Sequence, residues 1–230
     1  MSKQISKKNI ERYSRQIILK NVGPSGQKRI LNSKVLIIGL GGLGCPIADH
    51  LCRAGVGTIG IVDFDKVSLS NLHRQSFYSH KDIKKFKVDV IEKKINLIDP
   101  KIKVKKFKKA VTETNINSMI KNFDIIIDGT DNFKTKFLLN KISIKYNKTL
   151  IIGAISKFDG HVFTFDFKNN KTPCLRCFYQ SEPSDEILNC EAEGIMGPLA
   201  GIIGNIQANE IIKKILKIGK DLNKNILILN

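Results

Sequence analysis

The chain has 230 residues, 42% of them hydrophobic, enough for one large α/β domain with a substantial core. It has no Pro/Gly/Ser-rich linker and no internal repeat to suggest independent domains. Its 39 Lys and Arg against 21 Asp and Glu give a net charge of +18, and its five cysteines are an odd number. No segment approaches the roughly eighteen apolar residues that span a bilayer, and Met1–Glu11 carries Lys3, Lys7 and Lys8 with no apolar stretch behind them, so the expectation is a cytoplasmic protein whose cysteines are thiols, metal ligands or catalytic groups rather than a disulfide framework.

In chain order, a first helix is expected over about 8–20. Lys34–Ile38 is a short β-branched run of the kind buried on both faces of a sheet. It runs into Gly39-Leu40-Gly41-Gly42-Leu43-Gly44, where the glycines permit a tight turn and a close approach of backbone to ligand. Leu43, Ile47, Leu51 and Ala54 recur at helical spacing, so a helix N-terminus faces the loop and offers an anion site. Further strands are expected at 58–62, 102–107, 124–127 and 149–153, alternating with helices, which implies a Rossmann-like, doubly wound, mostly parallel sheet. Gly160–Phe167 alternates aromatic and β-branched residues and is expected to extend the sheet antiparallel. Pro198–Lys217 reads as a helix with a small-residue first half, and Asn225–Asn230 as the opening of a last strand that the chain does not finish. In Lys101–Lys109, Ile102, Val104 and Phe107 turn inward and the lysines outward, as on an edge strand; this and the wide scatter of lysine favour a solvated surface over a nucleic-acid patch.

Asp63 closes the strand at 58–62, about twenty residues past the loop, where a Rossmann unit places the acid that binds a ribose hydroxyl. To that point a nicotinamide enzyme fits equally well. The residues that follow suit ATP whose α-phosphorus is attacked: Arg74 is a planar fork for phosphate oxygens, Lys87 a point charge, and Asp131 a carboxylate for Mg²⁺ beyond the strand at 125–127. Each has a plainer reading. Arg74 would pair with a surface acid, Lys87 would be one more solvated lysine of its run, and Asp131 would cap the helix beginning near Asn132.

Together with Glu11–Gln16, Val62–Gln75, Lys87-Val88, Gly129–Asn132, Pro173–Cys177 and Asn189–Ala192 continuing to Gly197-Pro198, these residues make the chain resemble the ThiF/MoeB/HesA family, the bacterial relatives of ubiquitin-activating enzymes. The resemblance covers nearly the whole chain and implies one ATP-binding activating domain over 1–230: a helical segment to about 32, a nucleotide-binding core over about 33–155, and a carrier-binding part over about 156–230 that is open to being truncated. It implies adenylation of the C-terminal Gly-Gly carboxylate of a small ubiquitin-fold sulfur-carrier protein in molybdopterin or thiamine synthesis, with release of pyrophosphate. Gly39, Gly41, Gly42, Gly44, Asp63, Asp65, Asn71, Arg74, Gln75 and Lys87 would bind ATP, and Asp131 would hold Mg²⁺. Arg15 would reach the nucleotide of a partner subunit, which implies a homodimer.

Cys174 and Cys177 form half of a tetrahedral zinc site. The family's second pair has no counterpart here, so truncation, a vestigial pair and a different completing ligand all stay open. Cys190 matches a cysteine that links to the carrier in some thiamine-pathway members; in molybdopterin-type members a separate sulfurtransferase takes the adenylate. Cys45, on the first turn after the glycine loop, is read as helix packing ahead of a thiol of lowered pKa, and Cys52 as core. The small-residue run Gly194–Gly204 reads equally as a carrier surface and as close helix packing. The competing functions are an ATP-dependent tRNA-modifying dehydratase of the same fold, a non-catalytic nucleotide-binding scaffold and, on the glycine fingerprint alone, a nicotinamide oxidoreductase.

Overall fold

The computed structural model describes residues 5–168, 172–183 and 194–230. Strands β1 (Lys34–Ile38), β2 (Thr58–Val62), β3 (Lys103–Phe107), β4 (Ile125–Asp128), β5 (Thr149–Ser156), β6 (Asp159–Asp166) and β7 (Ile226–Leu229) form one sheet in the order β3-β2-β1-β4-β5-β6-β7. The first five run parallel; β6 and β7 extend the sheet antiparallel. The chain reverses its direction of growth across the sheet between β1 and β4, where open α/β sheets leave a crevice for ligands at the carboxyl ends of the strands.

Alternation along the central strands divides the core in two. Val35, Ile37, Ile59, Ile61, Ile125 and Ile127 pack beneath α3 (Gly23–Asn32), α4 (Gly44–Ala54), α5 (Lys87–Ile98) and the long α9 (Gly197–Leu216). Leu36, Ile38, Val62 and Ile126 face the other way, against α6 (Ile116–Ile120), α7 (Phe133–Lys145) and α8 (Leu175–Phe178). Both faces are covered, which is why these strands are apolar throughout. β3 is an edge strand, as its lysines suggest, but Val104 and Phe107, three positions apart, lie on opposite faces.

The first helix is not continuous over 8–20. It divides into α1 (Lys7–Arg12) and α2 (Ser14–Ile17) at Tyr13, whose φ/ψ of −104°/17° leave helical geometry. Tyr13 is almost wholly buried, its hydroxyl donates to Asp99 Oδ2 at 3.0 Å, and its ring fills the space that a Cβ on Gly55 would need. Anchoring that ring takes precedence over helix continuity.

At the far end of the sheet, Lys214 on α9 lies 2.8 Å from both Asp166 on β6 and Asp221 ahead of β7. Burial works to raise both carboxyls, yet the lysine and nearby hydrogen-bond donors prevail and hold both below the ordinary carboxylate value. Groups lowered in this way stabilise the fold above the unfolded value, near 4, and lose that contribution as pH falls through their lower folded values. Lys214→Met is therefore expected to be less stable than the wild type at pH 7, with the gap narrowing below about pH 4; urea unfolding at pH 7 and pH 3 checks this, and a gap that stays constant would refute it.

Candidate functional site

The crevice between β1 and β4 opens into a cleft of about 640 Å³ whose lining includes Gly39, Gly41, Gly42, Asp63, Asp65, Asn71, Arg74, Gln75, Lys87 and Asp131. Ten residues from five separate stretches of chain thus face one cavity. The glycine loop forms its base. Gly39 has φ +85°, a backbone state that favours glycine, and a Cβ there would sit 2.8 Å from the Gly129 carbonyl group. Gly44 has a different job: it is absent from the lining, and a Cβ on it would strike the Gly39 carbonyl oxygen. It lets the loop fold back on itself rather than meeting what lies in the cleft. α4 then starts at Gly44 with no side-chain cap, but most of its first turn is satisfied within the chain: Cys45 N donates to Gly41 O, Ile47 N donates to Leu43 O and Pro46 has no N–H, so of that turn only the Gly44 N–H is left for an anion.

Asp63, at the end of β2, braces this loop. Its Oδ2 accepts from Leu40 N and its Oδ1 from Asp65 N, both at 2.8 Å. Burial pushes its carboxyl above the ordinary value, against the pull of Lys87 and of these two N–H groups. Each oxygen keeps a further lone pair for a ligand hydroxyl. Tyr78 holds the loop from beneath, donating to Leu40 O at 2.8 Å; its phenol is raised by burial.

Lys87 is buried at the first position of α5, and its ammonium sits 2.8 Å from Asp65 Oδ2. The solvated-lysine reading therefore fails. Arg74 donates to Ser70 O at 2.9 Å and contacts His73 Nε2 at 2.7 Å, and pairs with no acid among the described residues, which speaks against the surface-pair reading. Asn132, not Asp131, caps α7, accepting from Thr135 N at 2.8 Å, and Asp131 stands exposed at the cleft. Gln75 is buried with its Oε1 unpartnered, although its side chain lines the cavity; a buried acceptor left open in a cleft is a place for a ligand donor.

The remaining expected residues lie elsewhere. Arg15 is exposed on α2 and takes no part in its own chain's cleft. Cys174 and Cys177 flank the first turn of α8 with their sulfurs 3.8 Å apart, the separation that a tetrahedral ion with bonds of about 2.3 Å would impose. Among the described residues no group of three His, Cys, Asp or Glu could hold a metal, so the pair supplies half of a zinc shell. Cys190 lies outside the described residues. Burial pushes the Cys45 and Cys52 thiols up to about 12, which disposes of a lowered pKa at Cys45. In the small-residue run, Gly197 and Gly204 pack against the backbone of His73 and Leu43 while Gly194 and Gly201 face open space, so close packing accounts for two of its four glycines.

Sequence reasoning passed over Tyr78, Asp128 and Lys136, the last two a fully buried ion pair under the loop after β4. A lysine in the same helical stripe as Phe133, Phe137 and Asn140 was the available signal.

Comparison with known proteins places these features in context. The sequence matches the ThiF family over residues 13–230. It is 36% identical to the sulfur carrier protein adenylyltransferase of Thermus thermophilus over 97% of this chain and 84% of that protein. It is 41% identical to the adenylyltransferase and sulfurtransferase MOCS3 of Dictyostelium discoideum over 89% of this chain but only 48% of that protein. Among solved structures, E. coli MccB with ATP matches with a TM-score of 0.79 and 25% identity, over 92% of this chain and 65% of that one.

The approach of Gly39 to Gly129 generates a direct test. Gly39→Ala is expected to lower stability by about 1–3 kcal/mol from backbone strain alone, read as a lower urea midpoint; an unchanged midpoint would mean that the two loops part freely.

Proposed function

The chain belongs to the ThiF family, and we propose that it is an adenylyltransferase that uses ATP to activate the C-terminal carboxylate of a small sulfur-carrier protein. The observation that carries this reading is the convergence of Asp63, Arg74, Lys87 and Asp131 on one cleft at the β1/β4 switch point. The Thermus relative, of which the chain covers 84%, bears the same activity in its name.

In this reading the glycine loop leading into α4 cradles phosphates, Asp63 accepts from the ribose, and Asp65, Asn71 and Gln75 complete the nucleotide's surroundings. Asp131 would hold Mg²⁺ together with phosphate oxygens, a donor set that suits an ion bound through one or two carboxylates; when bound, the ion supplies charge neutralisation. Arg74 and Lys87 offset the charge that grows on the departing pyrophosphate. The carrier's carboxylate is already a nucleophile at neutral pH, so its oxygen forms a bond to the α-phosphorus as the bond to the β-phosphate oxygen breaks, and no general base is needed. Catalysis is then a matter of orientation and fixed charge. Lys87 must exchange its Asp65 partner for phosphate to act, and the 2.8 Å pair holds it ready beside the cleft.

Arg15, exposed and away from its own cleft, suits a role in the nucleotide site of a second subunit, and we assign it that role in a homodimer. A carrier ending in Gly-Gly, working in molybdopterin or thiamine synthesis in the cytoplasm, fits the same reading, as does a separate sulfurtransferase to receive the adenylate. The half shell at Cys174 and Cys177 enters no step, and Cys190 is a candidate acceptor only if the carrier is of the thiamine type. The named relatives weigh against the RNA-modifying alternative.

Exchange of labelled pyrophosphate into ATP, measured with Mg²⁺ and each candidate carrier with and without its Gly-Gly tail, tests the proposal. Exchange is expected only with an intact tail; ATP binding without exchange for any carrier would refute it. Arg74→Ala and Asp131→Ala are each expected to cut that exchange by about 10²- to 10³-fold with an unchanged circular dichroism spectrum. Full exchange in either variant would remove that residue from the machinery.

A further inference from the structure

Asp131 reaches the cleft from a loop that, among the described residues, its own side chain does nothing to hold. Its neighbours hold it from both sides. Asn132 is fixed as the cap of α7. On the other side, the Lys136 ammonium donates to Asp128 Oδ2, Thr130 O and Gly153 O, each at 2.7 Å. That uses all three of its protons. Asp128 Oδ1 in turn accepts from Thr130 N at 3.0 Å and Thr130 Oγ1 at 2.6 Å. The Thr130 carbonyl shares a rigid peptide plane with the Asp131 nitrogen, so pinning that oxygen sets the direction in which the chain enters Asp131. The third acceptor, Gly153 on β5, directly precedes Ala154 and Ile155, which line the same cleft.

Lys136 is 1% exposed and Asp128 is fully buried. Taking two charges out of water is costly, and a buried pair is weak evidence for stability. The bonds it makes are better explained as fixing a conformation, and because the two charges offset each other the effect on Asp131 is mechanical rather than Coulombic. We propose that Lys136 is a positioning residue that acts from behind the cleft, through the Thr130 peptide, to set the affinity of the nucleotide site for Mg²⁺. This rests on the ATP·Mg²⁺ reading above.

Calorimetric titration of the full chain with ATP over a series of Mg²⁺ concentrations, with no carrier present, tests it. In Lys136→Met the Mg²⁺ concentration for half-maximal enhancement of ATP binding is expected to rise roughly 10- to 100-fold, while ATP binding in EDTA stays at the wild-type level. Lys136→Arg, which keeps the charge and several donors, is expected to restore much of the difference. In an Asp131→Asn background, Lys136→Met is expected to add little, because the group that it positions is already altered. If Lys136→Met does not fold, Lys136→Gln, which keeps two N–H donors, carries the same test. A wild-type Mg²⁺ midpoint in a folded Lys136 variant, or a full additional shift in the Asp131→Asn background, would overturn the inference and leave the function standing. Wild-type ATP binding that ignores Mg²⁺ would overturn the underlying reading, and the inference with it.

Discussion

The cleft depends on one close passage of backbone past backbone. The turn after β1 and the turn after β4 meet where Gly39 faces Gly129; Gly39 has no room for a Cβ, and at Gly129 one would fit only tightly against the Gly39 carbonyl oxygen. That contact brings Asp63, which braces the first turn, and Asp131, which follows the second, to the same cavity. The bond from Gly129 N to Ile38 O at 2.8 Å ties the second turn to the end of β1. The two turns can meet because these strands are neighbours and in register, with Ile38 opposite Asp128.

Much of this was legible from the order of residues. Apolar runs placed β1 to β4 within a residue or two and β5 three residues short at its end, and the glycine loop, Asp63 and Asp131 fell at or just past strand ends, where a parallel sheet binds ligands. What escaped was set by tertiary partners. Tyr13 sits in an apparently regular helical stretch, and only the pocket formed by Gly55 and Asp99 explains the break there. Lys87 looked like its solvated neighbours because nothing in the run shows that the first residue of α5 turns toward Asp65. Lys136 carried one signal, its place in the buried stripe of α7, but its acceptors could not be read from the sequence, since they lie as far off as Gly153. Gly44 shows the opposite error: a glycine in a ligand-binding motif can be required by the loop's own folding rather than by the ligand.

The positive charge of the chain divides by location. Lys106 and Lys108 on and beside the edge strand pair with Asp89 and Glu92 at the surface, where such contacts contribute little to stability. Four cations line the cleft, Lys66, Arg74, Lys87 and Lys109; of these Lys87 is buried, and Arg74 is held by Ser70 and His73. The net charge of +18 therefore says more about the solvent-facing lysines than about what the site binds.

The pairing of β1 with β4 also governs when the site can come into being. Val35 meets Ile125, whereas β5 and β6 meet through a hairpin that turns between Ser156 and Asp159. Closing a long loop costs chain entropy before any contact repays it, so distant parallel pairings are slow to form while local ones are quick. During synthesis the hairpin can assemble as soon as it emerges, but β1 and its glycine loop must wait, unpartnered on that side, until β4 has been made. No N-terminal fragment ending before β4 can hold the cleft, and in the interval β1 is an apolar strand with an open edge, a feature that invites mispairing.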